Sequence, residues 1–324
     1  MHAHRTDRPG RGSGRFFRQG GLVYRTGGFW GQPERCGNIY SLTSSLSPLI
    51  ATVPAEPGYD NGHFSNGPIW VEQFAGLLGV PVPTFSRNGG TDYAYGLAHS
   101  GSGNTNLLIP NIQTQISDWT ANHASTDTQL FTVLGGATDL LDAIESSDSA
   151  ADKALAATTA AGNIAAGVQA LYDDGARHIL VANLPDLGRV PRYLNTTSQA
   201  TATTLSGTFN TALAGDLTSV VASPGLHLDV LDLHALFAQV IADPSAFGLS
   251  NVTDAAYTGD SDYAGDGTAV ADPSGYLFWD SLHPTTVGHD LIAQYAYDAV
   301  PEPASVWLLA LGGIVVCRRR HEVG

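Results

Sequence analysis

The spacing of apolar positions changes period several times along the chain, and each change marks an element. From Pro68 to Leu78, Trp70, Phe74 and Leu78 recur at i, i+4 and i+8, which predicts an amphipathic helix with proline at its start. Leu130–Leu134 is a short apolar run ending in Gly135-Gly136, as expected of a buried strand. Ala151–Tyr172 predicts an alanine-rich helix with Ile164, Val168 and Leu171 on one face. The run His178–Ala182 predicts a second strand, closed by the turn-forming residues Asn183-Leu184-Pro185-Asp186-Leu187-Gly188. Thr201–Val221 reads as a helix, His227–Leu231 as a strand, Leu233–Ile241 as a helix, residues 250–275 as a Gly/Asp/Ala-rich loop, and Thr286–Ala299 as a final helix. Strands separated by helices imply an α/β protein whose parallel sheet is covered on both faces. In such sheets functional sites gather at the carboxyl ends of the strands.

Composition narrows the picture. A chain of 324 residues with 43% hydrophobic content can bury a large core. Residues 37–300 hold five basic against 26 acidic residues, while seven arginines fall within residues 1–36 and three more at 318–320. So acidic a body repels phosphate backbones, which argues against a nucleic-acid partner. Both cysteines, Cys36 and Cys317, lie in the terminal segments, so the body offers neither a disulfide framework nor a thiolate metal site.

The two ends point in different directions. Pro301-Glu302-Pro303 precedes an apolar run, Ser305 to Cys317, and then Arg318-Arg319-Arg320. The run is shorter than the roughly 20 residues that span a bilayer comfortably. The order of these three parts resembles the bacterial PEP-CTERM sorting signal. That resemblance implies an exported protein, held transiently at the membrane by its tail (residues 300–324) until an exosortase removes it. The start, Met1 to Gly28, is rich in Arg and Gly with no apolar stretch of the kind a secretory signal carries, and alone reads as a basic disordered arm.

The strongest chemical signal is Phe278-Trp279-Asp280-Ser281-Leu282-His283-Pro284-Thr285. Asp280 and His283 stand three apart ahead of a helix, a spacing that lets the carboxylate accept from imidazole Nδ1–H and leaves Nε2 free as a base. Around this pair the chain resembles the GDSL, or SGNH, hydrolases. Gly58–Gly79 is similar to that family's Asn-Gly-Arg-Phe-Ser-Asn-Gly segment, with His63 in place of its arginine. Gly89–Ala98, Val133–Asp142, Gly175–Pro191 and Trp279–Thr285 follow as further family blocks in order. The resemblance covers residues 37 to 299. It implies a three-layer α/β/α sandwich with a mainly parallel, flavodoxin-like sheet, and an esterase or lipase that needs no cofactor and no metal. Its substrate would be an ester of a lipid, an acylated glycan or a small alcohol. In the family a serine attacks, the histidine removes its proton, and backbone N–H groups with an Asn side chain hold the oxyanion. Carried over, these roles fall on His283 as base, Asp280 as its orienting carboxylate, and Gly96, Leu97 and Thr138 as the oxyanion site. Leu97 stands where the family has glycine and Thr138 where it has asparagine.

The nucleophile block, Gly-Asp-Ser-Leu-Ser-Asp-x-Gly-Asn, keeps only Gly37-Asn38. Its serine aligns with Gln32, which cannot act as a nucleophile. Codons for Gly28 to Cys36 can be chosen so that, read one base later, they encode Val-Phe-Gly-Asp-Ser-Leu-Ser-Asp-Ala, the missing strand and nucleophile. The expectation is that residues 1–36 are out of frame, through one nucleotide lost near the Cys36/Gly37 boundary. That would also account for the missing signal and the local arginine excess. The alternative is a non-catalytic cell-surface binding protein on the same fold. The remaining histidines have no ligand-like spacing, the acidic loop 254–272 lacks the ordered pattern of an EF-hand, and Trp70, Tyr93 and Tyr95 are expected to pack in the core.

Overall fold

A computed structural model describes residues 26–30, 37–260 and 263–300. Four parallel strands make the main sheet: β1 (Thr26–Trp30), β2 (Leu130–Leu134), β3 (His178–Ala182) and β4 (His227–Leu231), adjacent in that order. The register aligns Gly28 with Thr132 and Trp30 with Leu134, Phe131 with Ile179, and Val181 with Val230. This is the 1-3-4-5 part of a flavodoxin-like strand order. β2 is buried at every position and β3 at four of five, so both faces of the sheet are covered, whereas β4 has only Leu231 buried, as befits an edge.

Eight α-helices surround the sheet among the described residues: α1 (Gly37–Leu46), α2 (Trp70–Leu78), α3 (Ile112–Asn122), α4 (Ala137–Glu145), α5 (Ala150–Asp173), α6 (Gln199–Val221), α7 (Leu233–Ala242) and α8 (Thr286–Ala299). α3, α4 and α6 pack on α5, while α2 and α7 pack on α8. These two groups give the helical layers of an α/β/α sandwich. The expected strands and helices are present with ends shifted by at most two residues. α2 starts at Trp70 rather than Pro68 because Ile69 is the extended cap residue, its N–H donating to Glu72 Oε2 at 3.1 Å. Pro68 is instead held by its carbonyl, which accepts from Gln73 Nε2 and Thr286 Oγ1.

The region 250–275 is more structured than a loop. β5 (Asn251–Ala255) pairs in parallel with β6 (Tyr276–Phe278), and Tyr257–Thr258 pairs with Thr268–Ala269. Only Val252 of β5 is buried, so no alternation of apolar residues announces it. Its acidic residues close turns. Asp260 accepts from the N–H groups of Ala264 and Gly265, and Asp272 from that of Ser274.

The turn between β2 and α4 requires its glycines. Gly136 has φ +98°, outside the range side chains tolerate, and a Cβ there would run into the ring of Phe209. Gly136→Ala therefore combines backbone strain with overpacking, and should lower stability by about 2–4 kcal/mol, read as a drop in the urea midpoint with unchanged m.

Candidate active site

The chain leaves β6 and folds back on itself before α8. Trp279 N donates to His283 O at 2.7 Å, and Thr285 N to Leu277 O at 2.9 Å. Inside this loop Asp280 Oδ1 accepts from the N–H groups of Leu282 at 2.8 Å and His283 at 2.7 Å. The other carboxylate oxygen is thereby turned toward the imidazole, and Oδ2 lies 2.6 Å from His283 Nδ1. Thr285 then caps α8, its Oγ1 accepting from Gly288 N at 3.1 Å.

Both partners are buried, Asp280 being 3% and His283 1% exposed. Burial works against the charge on Asp280, but the imidazole of His283 and the hydrogen bonds it receives outweigh that and hold its carboxyl below the usual aspartate range. An ionised carboxylate only accepts, so the Nδ1 of His283 carries a proton, and in the neutral ring Nε2 then presents its lone pair. Nε2 is buried and has no hydrogen-bond partner among the described residues. An orphaned basic nitrogen on an oriented imidazole is what a general base needs.

A second segment, Gly58 to Pro68, closes over this pair. Tyr59 OH donates to Asp280 Oδ2 at 3.2 Å, and the ring of Phe64 stacks on that of His283 at 4.9 Å. Trp279 Nε1 donates to Gly58 O, Ser65 Oγ to Pro284 O, and Thr286 N to Asn66 Oδ1. Tyr263 completes the aromatic surround, 4.5 Å from Phe64 and 5.8 Å from His283 between ring centres. These residues belong to a mainly aromatic cluster with Ile39, Tyr95, Tyr257 and Trp279, separate from the core around the sheet. His283 also borders a small apolar recess, about 30 Å³, at the carboxyl ends of β2 and β3, lined by Leu134, Ala137, Leu184, Phe237, Phe278 and Leu282.

The oxyanion candidates come from two further segments that are tied together. Gly96 and Thr138 are buried, Thr138 in the first turn of α4. Ser100 donates to Asp139 through both its N–H and its hydroxyl at 2.9 Å, and His99 Nε2 lies 2.9 Å from Asp142 Oδ2, so the loop carrying Gly96 and Leu97 is fastened to α4. At the other end Asn38, fully buried at the start of α1, donates to the carbonyls of Asp92 and Ala94 and accepts from Arg87 N and Ser86 Oγ. Asn38 thus anchors the start of α1 to the segment leading into Gly96 and Leu97.

Leu97 has φ +64°, the left-handed conformation that glycine adopts without cost. The backbone at this position keeps a glycine's shape although the residue is leucine, and the side chain packs against the aromatic cluster. A β-branched residue tolerates this conformation less well, so Leu97→Val should cost about 1–2 kcal/mol, whereas in Leu97→Gly relief of strain offsets lost packing to within about 1 kcal/mol. Thermal or urea unfolding of the two variants checks this ordering.

Comparison with known proteins now bears on the assignment. The family model described as GDSL-like Lipase/Acylhydrolase matches residues 24–296. The chain belongs to the GDSL-like lipase/acylhydrolase family. The PEP-CTERM protein-sorting motif matches residues 299–320, which marks a GDSL protein directed to export and to the bacterial envelope. Among similar proteins are an uncharacterized protein in the trpE-trpG intergenic region of Pseudomonas putida, 36% identical over 56% of this chain and 30% of that protein, and Esterase EstA of Pseudomonas aeruginosa, 35% identical over 56% and 27%. The chain thus spans less than a third of the length of either. Phosphatidylcholine-sterol acyltransferase of Aeromonas hydrophila is 27% identical over 80% of this chain and 87% of that protein.

Gln32 and the sorting tail from residue 301 onward lie outside the described residues, as does nearly all of the segment expected to be out of frame. β1, at residues 26–30, falls ahead of the domain start expected at residue 37. Of the other residues singled out, Trp70 is in the main core, Tyr95 is in the aromatic cluster, and Tyr93 packs edge-on against Trp119. His63, where the family carries arginine, is buried 3.2 Å from Glu72 Oε1. His178 and His227 stack on each other at the amino ends of β3 and β4. Among the described residues no group of three His, Cys, Asp or Glu side chains is placed to hold a metal ion, and no helix is long and apolar enough to cross a membrane. Tyr59, Phe64 and Tyr263 were not legible as site residues, because an aromatic residue in a Gly/Asn-rich or Asp-rich loop has no periodicity to place it. The available signals are their presence in otherwise polar loops and, for Phe64, its place in the Asn61–Gly67 stretch that resembles a family segment.

Proposed function

We propose that this protein is an exported carboxylic-ester hydrolase working by a Ser-His-Asp mechanism, with the serine belonging at position 32. The chain as written, with Gln32 there, is then inactive. The observation that carries this reading is the buried Asp280–His283 pair, 2.6 Å apart, whose Nε2 has no partner among the described residues. In this mechanism His283 Nε2 takes the proton of the serine hydroxyl as its oxygen attacks the ester carbonyl. Asp280 stabilises the resulting imidazolium. The backbone N–H groups around Gly96 and Leu97, with the Thr138 hydroxyl, receive the oxyanion. The tetrahedral intermediate then collapses, its alcohol leaving with the proton from His283, and water repeats the sequence on the acyl-enzyme.

The acyltransferase relative supports a lipid ester as substrate class. Exosortase would process the tail after a transient stay at the membrane. The test is hydrolysis of p-nitrophenyl acyl esters by a chain with the serine block restored, set against the same chain carrying His283→Ala. A second reading, a non-catalytic surface binding protein, is favoured by Leu97 and Thr138 at oxyanion positions. It predicts no turnover after restoration.

A further inference from the structure

The tyrosine hydroxyl on Asp280 is a contact that the Ser-His-Asp scheme does not call for. Asp280 receives four hydrogen bonds, two from backbone N–H groups on Oδ1, and two on Oδ2 from His283 Nδ1 and Tyr59 OH. Oδ2 therefore divides its negative charge between the imidazole and the phenol. Tyr59 is 1% exposed and its ring is fixed edge-on by Phe64 at 5.8 Å, Tyr257 at 5.5 Å and Tyr263 at 6.0 Å. Its backbone neighbour Gly58 is clamped by Trp279 Nε1, so the hydroxyl approaches Asp280 from a rigid support. Burial, then the charges of Asp280 and Asp260, push the phenol above the usual tyrosine range, so it stays protonated and can only donate to this carboxylate.

We propose that Tyr59 is a positioning residue: its hydroxyl holds Oδ2 of Asp280 in line with His283 Nδ1 and tempers the pull of that oxygen on the imidazole proton. The role rests on the reading of Asp280 and His283 as the acid–base pair. It differs from mere packing, which the ring alone would supply. Tyr59 and Asp280 are 221 residues apart in sequence, so this contact also couples the segment Gly58–Pro68 to the loop carrying the base.

The test uses the full-length chain labelled with 15N-histidine, the His283 ring resonances being assigned by their loss in His283→Gln. In Tyr59→Phe, Oδ2 keeps a single donor and accepts more strongly from the imidazole. The Nδ1 proton should move downfield, or broaden as the freed carboxylate loses its alignment. In Tyr263→Phe, which keeps the ring and leaves Asp280 untouched, the resonance should stay where it is. Global replacement of tyrosine by 3-fluorotyrosine makes the phenol a stronger donor and should move the resonance upfield; this arm needs no substitution and remains informative if Tyr59→Phe does not fold. An Nδ1 resonance unmoved in position and width by both the phenylalanine and the fluorotyrosine changes overturns the proposal. None of these readings requires turnover. A serine-restored chain that hydrolyses no ester would overturn the enzyme reading, while the role of Tyr59 is decided by the resonance.

Discussion

Ester hydrolysis should appear when residues 28–36 are rewritten as Gly28→Val, Trp30→Gly, Gly31→Asp, Gln32→Ser, Pro33→Leu, Glu34→Ser, Arg35→Asp and Cys36→Ala, with Phe29 kept. On the proposed Ser-His-Asp reading, the reason for a change this large is that the other groups it assigns are already brought together. The base is oriented, its carboxylate is ionised and buried, and the loop of Gly96 and Leu97 is fastened both to α4 and to Asn38. On that reading the chain with Gln32 lacks an oxygen able to form the acyl-enzyme, for which an amide side chain cannot substitute. In the restored chain His283→Ala should lower kcat by about 10⁶-fold, and removing the serine again by Ser-to-Gln reversion should cost as much, because the members of such a unit fail together. Leu97 and Thr138 leave the oxyanion less well held, so the restored rate should fall short of that with a full donor set by up to about 10²–10³. Steady-state release of p-nitrophenol, with the unmodified chain as blank, reads all of these. A restored, folded chain that releases none at any acyl length would sink the enzyme reading and favour the binding protein.

Sequence alone reached the parts of this molecule whose determinants are local. Asp280 and His283 meet because they are three residues apart and a carboxylate in that position closes a turn on the backbone N–H groups of Leu282 and His283. β2 and β3 were legible as unbroken apolar runs, the mark of strands covered on both faces. α3 carries its signal in three residues only, Ile112, Ile116 and Trp119, which share one buried face at helical spacing among polar neighbours. α4 is only nine residues long, and its buried residues Ala137, Leu140 and Ile144 cover barely two turns, too short a stripe to stand out as helical periodicity. Tyr59, Phe64 and Tyr263 lie beyond local reasoning. Their place beside His283 depends on how the segment Gly58–Pro68 and the acidic loop return to the sheet, which no spacing within either segment encodes. Leu97 stands between these cases. The sequence showed a departure from glycine, and the positive φ explains what glycine was for.

Asp280→Ala should be among the most destabilising single changes in the chain. It strands four buried donors at once, the N–H groups of Leu282 and His283, His283 Nδ1–H and Tyr59 O–H. Each unsatisfied buried donor costs about 1–3 kcal/mol, and some are relieved by rotation of the tyrosine and imidazole, so the loss should be about 3–5 kcal/mol out of a total near 5–15. Asp280→Asn keeps an acceptor for the backbone N–H groups and should cost only about 1–2 kcal/mol. Its amide nitrogen would face Nδ1, however, and drive the proton to Nε2, so in the serine-restored chain this milder variant should still lose about 10⁴ in kcat. Stability and chemistry therefore separate between the two substitutions, and a packing role for Asp280 would instead make them fall together. The pH dependence adds a sign. Because folding lowers the carboxyl's pKa, the stability it lends is complete above the unfolded aspartate value of about 3.9 and drains away as pH falls from there toward the lower folded value. The gap in urea midpoint between parent and Asp280→Ala should thus be widest near neutrality and narrow in acid. A gap that is absent at neutral pH, or that widens on acidification, would show that the ionised carboxylate is not what holds this loop closed.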